Sequence, residues 1–150
     1  MKNLAQIVVC LAISASAAAC FGYERGSTPT SPGGSGSLVG NWTSSSLIPS
    51  PSACADFKWN ITEQTGNTAK GSFSATCAGD LKLNGTAQGS INGSTIAWTA
   101  DATGSAPGLP GGCRVTLRGT AEIGVTTVRV PYSGDTCLGP VSGVESLSRR

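Results

Sequence analysis

The chain contains no histidine, and only 12% of its 150 residues are charged. Without histidine, Ser-His-Asp and Cys-His nucleophile pairs cannot be assembled. The formal net charge is +2, which leaves no electrostatic footprint for nucleic acid. Acids are sparse: Asp56, Glu63, Asp80, Asp101, Glu122, Asp135 and Glu145 in the main body, and Glu24 before it. Glycoside hydrolysis needs two carboxylates across a cleft, and no aligned pair stands out on an apolar face. Glu63 follows Ile61 in phase, but at a strand end we expect it in solvent. The Gly-Ser run at 33–37 lacks the lysine and helix of a phosphate loop. These absences argue against an enzyme and call for no cofactor or metal. Aromatic residues make up 5%, so any core is thin.

What is present begins with an export signal. Lys2 precedes an apolar run at 4–13 (LAQIVVCLAI) and a small-residue run at 14–19 (SASAAA). That order predicts a secretory signal over residues 1–19. An uncleaved anchor helix is the alternative, although a span needs roughly 20 apolar residues. Ala17-Ala18-Ala19-Cys20 resembles the lipobox of bacterial lipoproteins. The resemblance implies that Cys20 becomes the first mature residue and carries a lipid that anchors the protein to a membrane. Ala17 departs from the leucine usual in that family, and Ala17-x-Ala19 also suits ordinary cleavage and secretion.

Cysteine parity bears on this choice. The six cysteines are Cys10, Cys20, Cys54, Cys77, Cys113 and Cys137. Cys10 leaves with the signal. A lipid on Cys20 leaves four that can pair completely in an oxidising space. Cleavage beyond Cys20 leaves the same four. From residue 21 to 37 the sequence reads FGYERGSTPTSPGGSGS, too poor in apolar residues to offset its ordering entropy. We read 20–37 as the lipidated cysteine and a flexible tether, reaching about 20–25 Å on average in the coil regime.

Residues 38–150 form the domain. Apolar and polar residues alternate with period two, as in Phe57-Lys58-Trp59-Asn60-Ile61 and Val115-Thr116-Leu117-Arg118-Gly119. This predicts strands with one dry face and one wet face. They fall near 38–43, 56–63, 69–77, 80–89, 94–101, 113–123, 125–132 and 142–148. Glycine, at 21 residues, supplies the turns. Thr65-Gly66-Asn67 marks one turn and Gly124 another. Asn92-Gly93, read as a type I′ turn, sets Ala87 opposite Trp98 and Gly89 opposite Ile96. Leu83-Asn84-Gly85-Thr86-Ala87 recurs as Leu117-Arg118-Gly119-Thr120-Ala121, two similar hairpins in one meander. Eight short antiparallel strands predict an all-β up-and-down barrel, because closure removes bare edges. A two-sheet sandwich is the alternative.

Gly40-Asn41-Trp42 on the first strand resembles the Gly-x-Trp of lipocalins, avidins and bacterial metalloprotease inhibitors of similar barrel shape. The resemblance implies that Trp42 plugs one end of a barrel. Lipocalins often pair that tryptophan with a late arginine. Arg149 and Arg150 lie at the terminus, and we do not assign them that role.

Cys54 and Cys77 bracket one hairpin, and Cys113 and Cys137 bracket a later one. Of the three connectivities we therefore select Cys54–Cys77 with Cys113–Cys137. Strand faces put both pairs one residue from direct opposition. A bulge would absorb that, with Pro131 and Gly134 as places for it, and so would a cysteine just beyond its strand. A zinc site is the rival, without CxxC or histidine to support it.

Trp42, Phe57, Trp59, Phe73, Trp98 and Tyr132 are the domain aromatics. They read either as plain core or as the lining of an apolar ligand cavity, with Trp42, Trp59, Trp98 and Tyr132 as candidate contacts. The segment 104–112 (GSAPGLPGG) reads as an irregular loop with Leu109 exposed, either a partner-binding tip or a plain connection. Three functions follow. The first is a non-enzymatic envelope lipoprotein whose barrel is a binding or interaction module, for a protein or a small apolar ligand. The second is a barrel-type protease inhibitor, and the third a carrier of small apolar ligands.

Overall fold

The computed structural model describes residues 36–44, 46–109 and 112–150. The expected signal at 1–19, Cys20 and the tether as far as residue 35 lie outside the described residues. The strands are β1 (Gly40–Thr43), β2 (Cys54–Thr65), β3 (Thr68–Cys77), β4 (Leu81–Asn92), β5 (Thr95–Ser105), β6 (Cys113–Ile123), β7 (Thr127–Thr136) and β8 (Gly139–Arg149). Each pairs antiparallel with the next, and β1 also pairs with β8, so the sheet closes into a barrel. The barrel expectation holds, and the two-sheet sandwich does not form.

Alternation produces this wall directly. In β5, Ile96, Trp98, Ala100 and Ala102 are buried, while Ala97, Thr99, Asp101 and Thr103 are exposed. In β4 the outward residues are Lys82, Asn84, Thr86, Gln88 and Ser90. A polar outside and an apolar inside reverse the pattern of a lipid-embedded barrel.

One register differs from the sequence expectation. Asn92 pairs with Thr95, so Gly93-Ser94 is the loop and Gly93 alone takes a positive φ, 59°. Ala87 therefore faces Ala100, Gly89 faces Trp98, and Ile91 faces Ile96. The slip is two residues, which keeps every side chain on its face. The type I′ turn gives way because this register seats Trp98 between two glycines, Gly89 of β4 and Gly119 of β6. Gly85 and Gly119 are the centres of the internal repeat and flank β5 on either side. A Cβ on Gly85 would collide with the carbonyl oxygen of Asp101, and one on Gly119 with that of Pro131.

The two disulfides are Cys54–Cys77 and Cys113–Cys137. In the first hairpin, register shifts between Ala55 and Lys58 and between Ile61 and Glu63 bring the cysteines directly opposite. Asp56 adopts a φ of 52° at the first of these bulges. The second bulge breaks the phase after Ile61 and leaves Glu63 in solvent, as expected. In the β6–β7 hairpin no shift occurs at Pro131 or Gly134. Leu117 faces Gly134 and Ile123 faces Val128 in the same register, although the ladder is interrupted between Arg118–Ser133 and Glu122–Arg129, around Pro131. Cys137 instead lies one residue beyond β7 and reaches Cys113 from there.

The ends of the barrel differ. At the turn end, Gly66-Asn67, Gly93-Ser94 and residues 124–126 join the strands. At the loop end run residues 46–53, 78–80, 106–109 and 137–138, beside both disulfides. β5 continues to Ser105, which shortens the irregular segment expected at 104–112. Leu109 is not exposed as expected. It is partly buried, and with Ala106 it packs against the core.

Candidate functional site

β1 has 4 residues, whereas its neighbours β2 and β8 have 12 and 11. Toward the loop end β2 and β8 therefore have no strand between them. Their edge groups still need partners, since a buried unpaired backbone group is costly. Side chains and loop atoms supply them. The Ser44 N–H donates to the Phe57 carbonyl, and the Ser44 Oγ accepts the Phe57 N–H, both at 2.9 Å. The Ser142 N–H donates to the Ser52 carbonyl at 2.8 Å. The Tyr132 hydroxyl accepts the Cys54 N–H at 2.6 Å and donates to the Cys54 carbonyl at 2.8 Å.

Tyr132 reaches Cys54 from β7 by passing over Gly143 of β8, its cross-strand partner. A side chain at Gly143 would run into the Tyr132 ring. Burial pushes the Tyr132 phenol above its ordinary range. The hydrogen bond with the Cys54 backbone opposes that, and the nearby Glu145 charge adds to it. The phenol thus keeps its proton and can go on donating.

Glu145 sits beside this clasp. It is 4% exposed, and among the described residues it is the one charged side chain in the core. Its Oε2 accepts the Ser46 hydroxyl at 2.6 Å. The β1–β8 ladder holds Trp42 opposite Arg149 and Thr43 opposite Ser148. Past it, Leu47 at 90% exposure, Val144 at 50% and Ile48 are apolar side chains in solvent.

The four tryptophan and tyrosine candidates divide between two places. Trp42 closes the turn end. Its Nε1 donates to the Leu38 carbonyl at 2.7 Å, and Leu38 is itself buried. Arg149 takes the role we did not assign to it. Its guanidinium carbon lies 4.8 Å from the Trp42 ring centroid, and its Nη2 donates to the Ser37 carbonyl. Barrel closure brings these residues together, because β8 ends beside β1.

Trp59, Trp98 and Tyr132 lie inside the barrel with Phe57 and Phe73. Ring centroids are 4.9 Å apart for Phe57–Tyr132, 5.4 Å for Phe57–Phe73, 6.0 Å for Trp59–Trp98 and 6.4 Å for Phe73–Trp98. The barrel thus holds a continuous aromatic column of its own. Within it, the Nε1 groups of Trp59 and Trp98 are buried and have no hydrogen-bond partner. A surface depression of about 680 Å³ lies on the outer wall around Ala97, Thr99 and Arg118.

Among the described residues no three His, Cys, Asp or Glu side chains gather as a metal site. The sequence reading missed Glu145 as an inward residue. The signal was there, since Glu145 shares a phase with Val141 and Leu147, both buried. No protein-family model, no curated protein and no solved structure matches the chain.

Proposed function

We propose that this chain is an exported envelope protein, held to a membrane by a lipid on Cys20, whose barrel is a non-enzymatic interaction module for a protein partner. The two disulfides place the barrel in an oxidising, non-cytoplasmic compartment. The observation that carries the reading is the aromatic column filling the interior, which leaves recognition to the outside. The loop end supports this, since Leu47, Ile48 and Leu138 are exposed there on segments adjoining disulfide cysteines. A photo-crosslinking residue at position 47, in the protein expressed in a bacterial host, is expected to capture a discrete envelope partner. The same residue at Thr99 on the polar wall is expected to capture none. Equal capture at both positions, or none at either, contradicts the reading. The mass of the mature protein checks the anchor, with a diacyl or triacyl increment on Cys20 as the expected result.

The carrier reading draws on one specific observation, the two unpartnered indole N–H groups inside the barrel. Quenching of Trp59 and Trp98 fluorescence by an apolar probe such as a long-chain alcohol would favour it. Unchanged emission at saturating probe would remove it.

A further inference from the structure

The turn end of the barrel carries an apolar side chain that the core does not use. Val125 stands in the β6–β7 turn and is fully exposed, where polar or turn-forming residues are the rule. It borders a depression of about 370 Å³ that is also lined by Leu38, Trp42, Ile123 and Arg149. Val39, exposed as well, follows directly on the segment 36–38 that lines the same depression.

The charge around this end has one sign in excess. Lys70 stands across from Glu63, and Arg129 pairs with Glu122. Arg149 and Arg150 remain, exposed and with no carboxylate within 4.0 Å among the described residues. The turns at 65–68, 92–95 and 124–127 contain no charged residue, so they can meet an interface without desolvating an acid. At the loop end Asp56, Asp80 and Asp135 offset Lys58, Lys82 and Arg114.

The chain path points the same way. Everything before residue 36 joins the barrel through Gly36, and Gly36 lines this depression. The tether expected at 20–37 reaches about 20–25 Å on average in the coil regime. The loop end lies roughly 30 Å farther along the tilted strands. An anchor at Cys20 therefore brings the turn end to a bilayer far more readily than the loop end.

We infer that the turn end is a membrane-contacting face: Val125 enters the headgroup region of an anionic bilayer, and the charges of Arg149 and Arg150 are drawn to its phosphates. This rests on the lipid-anchored reading above and says which end of the barrel the anchor draws down. The loop end, with Leu47, Ile48 and Leu138, is then turned away from the bilayer and open to the protein partner. The contact is shallow, since each arginine near an anionic surface changes the occupancy about fivefold.

The test uses the mature protein, isotope-labelled and carrying its own anchor, in nanodiscs of phosphatidylcholine and phosphatidylglycerol with spin-labelled headgroups. The amide signals of Val125, Thr126 and Arg150 are expected to broaden, while those of Leu47, Asp80 and Leu138 stay sharp. Replacing phosphatidylglycerol by phosphatidylcholine should remove most of that difference. Arg150→Gln is expected to lower the ratio of docked to free barrel about fivefold, and Val125→Asp to lower it further. Both positions are exposed, so neither change threatens the fold. Arg114→Gln, an equal loss of charge at the loop end, should leave the pattern as it is. Broadening centred on Leu47 or Leu138, equal broadening at both ends, or a pattern indifferent to phosphatidylglycerol or to Val125→Asp would overturn the face. The mature mass separates this failure from that of the anchored reading. An acyl increment with equal broadening removes the face and keeps the anchor. No increment removes the anchor, and the same nanodiscs added to the soluble protein then decide the face alone: broadening at the turn end keeps it, and no broadening overturns it.

Discussion

The two ends of this barrel are closed by different means. At the turn end the strands run into short connections, and the ladder itself continues to the rim. The Ile91 N–H bonds to the Asn67 carbonyl, the Ile123 N–H to Ser94, and the Arg150 N–H to Asn41. Trp42, Leu38 and Arg149 then seal the opening. At the loop end β1 is missing from the wall between β2 and β8, and the edges there are held by the Tyr132 hydroxyl, Ser44 and Ser52, while the two disulfides crosslink β2 to β3 and β6 to the residue after β7 at the same end. One end is held by regular secondary structure and packing, the other by individual side chains and disulfides. A wall held by single contacts can be opened locally, which suits a surface that must admit a partner.

Substitutions should separate the ends, and the largest effect belongs to the turn end. Trp42→Ala removes a buried indole, and large-to-small changes of this kind cost about 3–5 kcal/mol. Denaturant unfolding is expected to show that loss, with the whole barrel destabilised. At the loop end, replacing either disulfide by a serine pair frees a closed loop with a sequence separation of 23 or 24. The chain-entropy relation gives about 3.5 kcal/mol for loops of that length. The Cys54–Cys77 pair is expected to be the more sensitive, because Cys54 is also where Tyr132 holds β2.

Tyr132→Phe comes next. It leaves the buried N–H and carbonyl of Cys54 without their partner, at about 2–3 kcal/mol, and it should also change the alkaline behaviour. The folded phenol is raised above its ordinary value of 10.0, so the unfolded chain gives up this proton first. Stability from Tyr132 is therefore fully present below about pH 10 and falls as the pH rises past it. A stability curve from pH 8 to 11 should decline more steeply for the wild type than for Tyr132→Phe. Parallel curves would mean that the clasp carries no such linkage. The smallest effect is expected from Arg149→Gln, which removes the stack on Trp42 at a cost of about 0.5–1 kcal/mol. A loss as large as that of Trp42→Ala would mean that Arg149 does more than stack.

How far the sequence revealed this molecule follows from the physics of its strands. Period-two alternation decides the face of each residue, so the inward positions of β4, β5 and β6 could be read without the structure. It cannot decide between registers two residues apart, because both keep the same faces, and the β4–β5 pairing differed for that reason. What selects the register is the fit of Trp98 between Gly89 and Gly119, a contact among three strands. The disulfides could be read from hairpin geometry, while the bulge at Asp56 that aligns Cys54 with Cys77 carries no strong local signature. Arg149 looked like a frayed terminus until closure of the barrel set β8 beside β1. Glu145 was legible from its phase with Val141 and Leu147, but a carboxylate is read as solvated by default.

Hydrogen exchange read amide by amide, before and after reduction of the disulfides under native conditions, tests the contrast between the ends most directly. On reduction the Cys54 and Ser142 amides, held by Tyr132 and by Ser52, are expected to lose protection, while the Ile91, Ile123 and Arg150 amides keep theirs. Uniform loss at both ends, or retained protection at Cys54 and Ser142, would contradict the division of the barrel into an end held by its ladder and an end held by its crosslinks.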